Sequence, residues 1–192
     1  MGIILHLFYI HAFQREYLYA GKISDRISRA LLEVRESHEQ IGSYLKTGSR
    51  IEFGKIIAFS DYNTYIFEED ELICWSDDSY QPPDTLVGLT EGTGLIDRED
   101  RKFLYQKNSI ENQGKDYTIV SLLTLFLRYD LSNEYLESGY PDRYFISSEL
   151  EIHAEEEGTP VRGPDGEVLF YADFMPGYAA GFHWFPFTVF LL

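Results

Sequence analysis

Apolar residues recur at steps of three and four positions over the first quarter of the chain. This spacing predicts an amphipathic helix from Phe13 to about Leu45. From Ile27 onward the stripe also has heptad spacing, so it fits either the domain's own sheet or the seam of a homodimer, and we expect packing against the sheet. His38 lies on the stripe, where a hydrogen-bonded structural histidine is expected rather than a ligand or a pH sensor.

Beyond the helix, short runs rich in β-branched and aromatic residues alternate with turn residues. Such runs predict extended structure. A long helix followed by these runs predicts an α+β fold, in which the helix packs on a mostly antiparallel sheet. The run Ile119–Leu127 is apolar on both faces and should be central in that sheet. The predicted extended segments are Phe53–Phe59, Tyr62–Phe67, Leu72–Trp75, Lys102–Lys107, Tyr117–Tyr129, Tyr144–His153 and Glu167–Phe174.

The connections between these segments are rich in acidic residues, glycine and proline. Glu68–Glu71 is expected to be a solvated hairpin turn rather than a calcium loop, because calcium loops alternate ligands with spacers around a glycine. Gln81–Asp100 is predicted to be the longest loop, and long loops in compact domains often carry function. Asp130–Tyr140 is predicted to contain a short helix capped at Ser132.

Charge and composition narrow the class of protein. The chain has 192 residues with 44% hydrophobic and 16% aromatic residues, which indicates one globular domain. Sixteen basic against 32 acidic residues give a formal net charge of -16. Nucleic acid is excluded as a partner, because no cationic stripe is present to replace phosphate counterions. Cys74 is the only cysteine, so no intrachain disulfide forms, and its apolar surroundings predict a buried small hydrophobe.

No catalytic motif stands out. The five histidines are scattered, and none beyond the His6/His11 pair has the close spacing of metal ligands. Ser76 lacks the flanking glycines of a nucleophile elbow, and Gly88–Gly94 lacks the lysine of a phosphate loop. We therefore expect no enzyme, no cofactor and no metal, with an acidic-cleft hydrolase as the least favoured alternative.

Two motifs carry a resemblance to a known family. Residues 69–78 read Glu-Asp-Glu-Leu-Ile-Cys-Trp-Ser-Asp-Asp, and residues 129–136 read Tyr-Asp-Leu-Ser-Asn-Glu-Tyr-Leu, followed by Tyr144-Phe145. This pattern resembles the extracytoplasmic input region of Bacteroidetes-type membrane-bound sensor histidine kinases. The chain departs from the family at residues 103–108, where the family often has Asn-Gly-Trp-Tyr.

The resemblance implies a PAS- or Cache-like sensor domain in the periplasm, attached to the inner membrane and relaying a small-molecule or protein stimulus to a cytoplasmic kinase core beyond Leu192. Residues 1–12 would be a membrane-proximal apolar segment, residues 13–181 the single sensor domain, and residues 182–192 the start of a transmembrane span. A terminal core strand is the alternative for residues 182–192. A surface-anchored glycan- or protein-binding domain is the alternative function.

A ligand site is expected between the sheet and the loop Gln81–Asp100, near Tyr105, Tyr129, Asn133 and Tyr135. Tyrosines offer flat amphipathic walls, and an asparagine offers donors and an acceptor. The alternative is that Tyr129, Asn133 and Tyr135 only tie the short helix to the sheet. Trp75, Ser76 and Asp77 are expected to be a structural motif, with Trp75 mostly buried.

Overall fold

The computed structural model describes residues 2–47, 51–76, 86–129, 138–145 and 150–174, with side chains from residue 16 onward. These residues form two helices and two antiparallel sheets, which confirms the α+β class. The predicted short helix after Asp130 and the aromatic segment 182–192 lie outside the described residues. Within the described part, no helix combines the length and apolar character needed to cross a membrane.

The first helix, α1, is longer than the sequence pattern predicts. It runs from Gly2 to Lys46 rather than from Phe13 to Leu45. From Ala20 to Leu45 its apolar stripe is buried against the chain's own strands, which confirms packing on the sheet rather than exposure as a dimer seam, whereas Tyr17 is 54% exposed. The most buried positions of the stripe are Ile23, Ile27, Leu31, Val34 and Ile41.

Five strands form the larger sheet, in the order β2-β1-β5-β4-β3. The strand β5 is central, as predicted, and pairs with β4 along most of its length. The connecting turns at Glu69–Asp70 and Gln113–Gly114 are tight, with positive φ at all four residues. The strands are β1 (Asn63–Glu68), β2 (Glu71–Trp75), β3 (Gly92–Asp97), β4 (Arg101–Asn112) and β5 (Lys115–Leu127).

Three further strands form a smaller sheet in the order β6-β8-β7. They are β6 (Leu150–His153), β7 (Thr159–Arg162) and β8 (Val168–Phe174). β7 lies against α1: the Arg162 N–H donates to the Ser24 hydroxyl at 3.0 Å, and the Arg162 carbonyl accepts from the Ser28 hydroxyl at 3.3 Å. The helix, the larger sheet and the smaller sheet therefore share one apolar core.

Phe53–Phe59 is a helix, α2, and the prediction of a strand there was wrong. The segment has strand-like composition, but only Ile56 is buried, where it packs against Ile41 and Cys74. A helix of about two turns brings that one side chain to the core, whereas an alternating strand would bury several. Tertiary packing thus overrides the local β preference.

The segment predicted as one long loop contains the edge strand β3, so the loop prediction was wrong over Gly92–Asp97. Two glycines hide the alternation that marks a strand. Gly94 lies directly against the ring of Tyr105 on β4, where a Cβ would collide with the ring. β7 was likewise not predicted, and Tyr144 lies in a turn rather than in extended structure.

Candidate functional site

A cleft of about 770 Å³ opens between α1 and one end of the larger sheet. The last three turns of α1 form one wall, and β3 and β4 form the floor. The turn between β7 and β8 closes one end with Asp165 and Glu167. A volume of this size is ordinary for a small-molecule site.

Small residues bring α1 close to the floor of this cleft. Gly42 lies so near to β4 that an added Cβ would come within 2.7 Å of the Ile110 Cδ1 atom. Ser43 and Gly92 also line the cleft. Because Gly42, Ser43 and Gly92 have small or no side chains, the cleft beside this close contact stays open.

The floor carries a row of hydrogen-bonded polar side chains that crosses three elements. The Thr93 hydroxyl of β3 donates to Gln106 Oε1 of β4 at 2.6 Å. Gln106 Nε2 donates to Asn108 Oδ1 at 3.0 Å, and Asn108 Oδ1 lies 3.0 Å from His38 Nδ1 of α1. All four residues line the cleft.

The row continues from His38 into the interior, under α1. His38 Nε2 lies 2.8 Å from the Ser121 hydroxyl of β5, and that hydroxyl lies 2.6 Å from the Thr64 hydroxyl of β1. The Thr64 hydroxyl is in turn 2.9 Å from the Ser60 hydroxyl. One hydrogen-bonded chain, from Ser60 to Thr93, therefore crosses the sheet from β1 to β3, and we call it the polar seam.

The hydrogen bonds of the polar seam assign the tautomer of His38. Asn108 Oδ1 can only accept, so His38 Nδ1 carries the proton and Nε2 accepts from Ser121. The Ser121 hydrogen is then used by His38, so the Ser121 oxygen accepts at its 2.6 Å contact with Thr64, and the single Thr64 hydroxyl hydrogen is shared between Ser121 and the Tyr62 carbonyl at 3.1 Å. Burial lowers the pKa of His38 to about 4, although the hydrogen bond to Asn108 and the charge of Glu91 act in the opposite direction. His38 is therefore neutral near pH 7, and the prediction of a satisfied structural histidine is confirmed.

Ser121, His38 and Asn108 have the connectivity of a serine–histidine–asparagine triad. A nucleophile must reach its substrate, however, and Ser121 is 0% exposed and does not line the cleft. Its hydroxyl is also held by Thr64. The arrangement is thus a buried hydrogen-bonded strut, and it gives no support to the hydrolase alternative.

Charged groups sit at the rim of the cleft. The Arg35 guanidinium bridges to Asp165 at 2.8 Å and to Glu167 at 3.9 Å, so it ties α1 to the turn between β7 and β8. Glu39 and Lys46 lie on the α1 side of the rim. Within the described ranges, no group of three or more acidic, histidine or cysteine residues is placed to hold a metal ion.

The predicted ligand residues do not meet in this cleft. Tyr105 is buried on the opposite face of β4 from Asn108, and its hydroxyl lies 2.8 Å from that of Thr90. Tyr129 is 37% exposed and follows the end of β5 at Leu127. Asn133 and Tyr135 lie outside the described residues, so their predicted role stays a prediction.

The motif at the end of β2 differs from expectation at one position. Trp75 is 41% exposed, and its ring meets Phe53 edge-on at 6.3 Å, so the prediction of a mostly buried anchor was wrong. β2 is an edge strand, and an edge strand leaves one side of such a residue uncovered. Ser76 is structural: its hydroxyl donates to the Tyr62 carbonyl and accepts from the Thr64 N–H, each at 2.9 Å. Asp77 lies outside the described residues.

The polar floor was missed by sequence reasoning, although a signal for it exists. Gln106 and Asn108 lie between Leu104 and Ile110 on the same face of β4, so two polar residues interrupt an apolar face. Ser121 interrupts the apolar run of β5, and His38 interrupts the apolar stripe of α1. Buried polar groups need hydrogen-bond partners, so polar residues that interrupt apolar faces on separate elements are candidates to bond to each other.

Comparisons with protein-family models, with curated protein sequences and with solved structures found no match. The chemistry of the cleft must therefore be argued from its own residues. Those residues offer a neutral, hydrogen-bonding floor, one wall formed by the helix α1, and a charged rim.

Proposed function

We propose that this chain is the signal-receiving domain of a membrane-bound sensor histidine kinase, with the stimulus bound in the cleft beneath α1. One observation carries the proposal: α1 forms one wall of the cleft and β3 and β4 form its floor, so a bound molecule touches both. A ligand can shift a conformational equilibrium only if it contacts the parts that move. In this proposal α1 is the part that moves, and the cleft places a ligand against it.

The length of α1 suits it to relay such a shift. At about 1.5 Å per residue, its 45 residues extend over roughly 68 Å. The cleft lies near its C-terminal end, between Arg35 and Lys46. A displacement there is carried along a rigid element to the N-terminal end, which we place next to the inner membrane, with the domain in the periplasm. The helix and the antiparallel sheet also agree with a PAS- or Cache-like relation, which we include in the proposal.

The polar seam supplies the discrete resting position that a switch requires. His38 holds α1 through directional hydrogen bonds to β4 and β5. A ligand that competes for Asn108 weakens one of these bonds and leaves the other in place. The expected response is therefore a small, defined shift of α1 rather than unfolding.

The test has two stages. A thermal-shift screen of the chain against a library of small molecules identifies a ligand, and spin labels then report the movement of α1. Labels at Glu36 on α1 and Gln113 on the β4–β5 turn should change their separation when the ligand saturates the protein. Labels at Asp70 and Gln113, on two turns of the same sheet, are the control pair and should not change.

An unchanged distance between the Glu36 and Gln113 labels at saturating ligand would contradict the relay, since the ligand would then bind without moving α1. The kinase assignment has a separate test in the gene. A histidine-kinase core encoded after Leu192 supports it, whereas an unrelated enzyme domain there would exclude it.

A further inference from the structure

We propose that the cleft beneath α1 binds a small uncharged polyol, of the size of a monosaccharide or disaccharide. The inference rests on the proposed function, because it names the ligand class of the same cleft. It is carried by the chemistry of the floor, by the charges of the rim and by the space between them.

Every polar group on the floor is uncharged. Gln106 and His38 are at least nine-tenths buried, and Thr93 and Asn108 complete the row. His38 is neutral near pH 7 because burial lowers its pKa to about 4. A charged ligand group pressed against this floor would lose its hydration without gaining a counter-charge, which is strongly unfavourable.

The floor retains both donors and acceptors for a ligand. Asn108 Oδ1 is used by His38 and Gln106, while its Nδ2 group donates no hydrogen bond to any residue that the structure describes. Gln106 Nε2 uses one of its two hydrogens, and Gln106 Oε1 keeps a second lone pair. A hydroxyl group both donates and accepts, so neighbouring hydroxyls can satisfy an amide N–H and an amide C=O side by side.

The rim does not recruit an anion. Arg35 is already engaged by Asp165 and Glu167, and Lys46 shares the rim with three carboxylates, those of Glu39, Asp165 and Glu167. The formal net charge of -16 repels anions further. The Asp165 and Glu167 carboxylates, which pair with Arg35, are at least one-third exposed. Water therefore competes with them for a cation, and they bind it only weakly.

The shape of the cleft agrees with a compact ring. Its volume of about 770 Å³ exceeds that of a single sugar ring and leaves room for a second or for water. The Ile110 side chain and the backbone at Gly42 provide an apolar strip beside the polar row. The C–H face of a pyranose can lie on such a strip while its hydroxyls meet the amides.

The experiment compares sugars that share a ring and differ in charge. Binding of glucose and other neutral mono- and disaccharides is measured by calorimetry on the 192-residue chain, and each sugar that binds is paired with its uronate and its amino-sugar analogue. We expect at least one neutral sugar to bind, with both charged analogues at least about tenfold weaker. A uronate or amino sugar that binds as tightly as the neutral sugar, or the absence of binding by every neutral sugar, would overturn the polyol inference.

Two glycines of α1 give a matched pair of variants. Gly42→Leu fills the cleft and should abolish binding, whereas Gly21→Leu adds the same side chain where the space around the Cβ is open and should leave it unchanged. If Gly42→Leu does not fold, Ser43→Trp at an exposed cleft position replaces it, with Leu32→Trp at another exposed position of α1 as the control.

The variants also separate this inference from the proposed function. If sugar binding survives both Gly42→Leu and Ser43→Trp, the sugar does not bind in the cleft, and both proposals are overturned. A different, charged ligand that is lost in Gly42→Leu but kept in Gly21→Leu would overturn only the polyol inference and leave the cleft as the receptor site.

Discussion

The two faces of the larger sheet are built on different principles. The face toward α1 combines apolar residues with the polar seam, in which Thr64, Gln106 and Ser121 are buried and hydrogen-bonded. The opposite face is almost entirely apolar and aromatic, and no residue of α1 belongs to its cluster. The buried members of that cluster are Tyr65, Phe67, Leu86, Phe103, Tyr105, Val120 and Leu122.

This difference indicates a division of tasks. Apolar burial is non-directional and stabilises many neighbouring arrangements equally. Hydrogen bonds in a buried row are directional, so they fix the register of α1 on the sheet but add little net stability. The apolar face should therefore dominate the free energy of unfolding, while the polar seam should determine where α1 sits and how it responds to pH and ligand.

The strongest test of this division is Phe103→Ala on the apolar face. Phe103 is 1% exposed, so the change leaves a cavity that should lower the free energy of unfolding by about 3 to 5 kcal/mol in urea denaturation. Tyr129→Ala, at an exposed position after β5, is the control and should lower it by less than about 1 kcal/mol. Equal losses in the two variants would show that the apolar face is not the main source of stability.

The polar seam predicts a dependence of stability on pH. The pKa of His38 is about 4 in the folded protein against 6.5 for an ordinary histidine, so the unfolded chain binds the proton more tightly. The stability from neutral His38 is present above pH 6.5 and is lost as the pH falls toward 4, by up to about 3 kcal/mol. Urea denaturation at pH 7 and pH 4.5 measures the change.

His38→Gln is the matched variant, because glutamine offers a donor and an acceptor but does not titrate. The acidic residues are common to both proteins, so the difference between their pH profiles isolates His38. If the free energies of unfolding of the two proteins change in parallel between pH 7 and pH 4.5, His38 is charged or solvated in the folded protein. It would then not be a buried, neutral member of the polar seam.

Trp75→Ala tests how far the apolar face extends toward the edge of the sheet. Trp75 lies opposite Tyr65 in the strand register, yet Tyr65 is 0% exposed and Trp75 is 41% exposed. We expect a loss of about 1 to 2 kcal/mol for Trp75→Ala in urea denaturation, below the range for a fully buried aromatic. A loss above about 3 kcal/mol would extend the apolar face to the edge strand.

The smallest effect concerns the two glycines of α1. Gly21→Ala should raise the free energy of unfolding by roughly 0.5 to 1 kcal/mol, because alanine favours the helix and its Cβ meets nothing within 4 Å. Gly42→Ala should gain less, since its Cβ comes within 2.7 Å of the Ile110 side chain. Equal gains, measured by thermal unfolding, would show that α1 does not press on β4 at the cleft.

The parts of the fold that the sequence could predict are those with a strong period. The stripe of α1 and the doubly apolar β5 were both predicted, because burial on a continuous surface leaves a regular pattern. α2 was not, since one buried residue, Ile56, leaves no period at all. β3 was hidden by Gly92 and Gly94, which are there for close packing and turn geometry rather than for strand preference.

The candidate site was harder to predict, because it depends on contacts between distant residues. His38 was correctly predicted to be satisfied, but its partners Asn108 and Ser121 lie 70 and 83 positions away. The interruptions of the apolar faces mark these residues as buried polar groups, but a single sequence does not show which of them are hydrogen-bonded to each other. Tyr105 was predicted to lie between the sheet and the loop Gln81–Asp100, and its hydroxyl does lie 2.8 Å from that of Thr90 in that segment. This is the face of β4 away from the cleft, and a role of Tyr105 in ligand binding stays a prediction.

The hydrogen bonds between β7 and the middle of α1 set a constraint on biosynthesis. Ser24 meets Arg162 across 138 positions, and α1 is made first. At about 5 to 20 residues per second, the helix waits roughly 7 to 28 s for its partner strand to be translated. During that interval the apolar stripe around Ile23 and Ile27 lacks part of its native cover. This part of α1 is therefore expected to be more exposed in the nascent chain than in the folded domain until the last strands emerge.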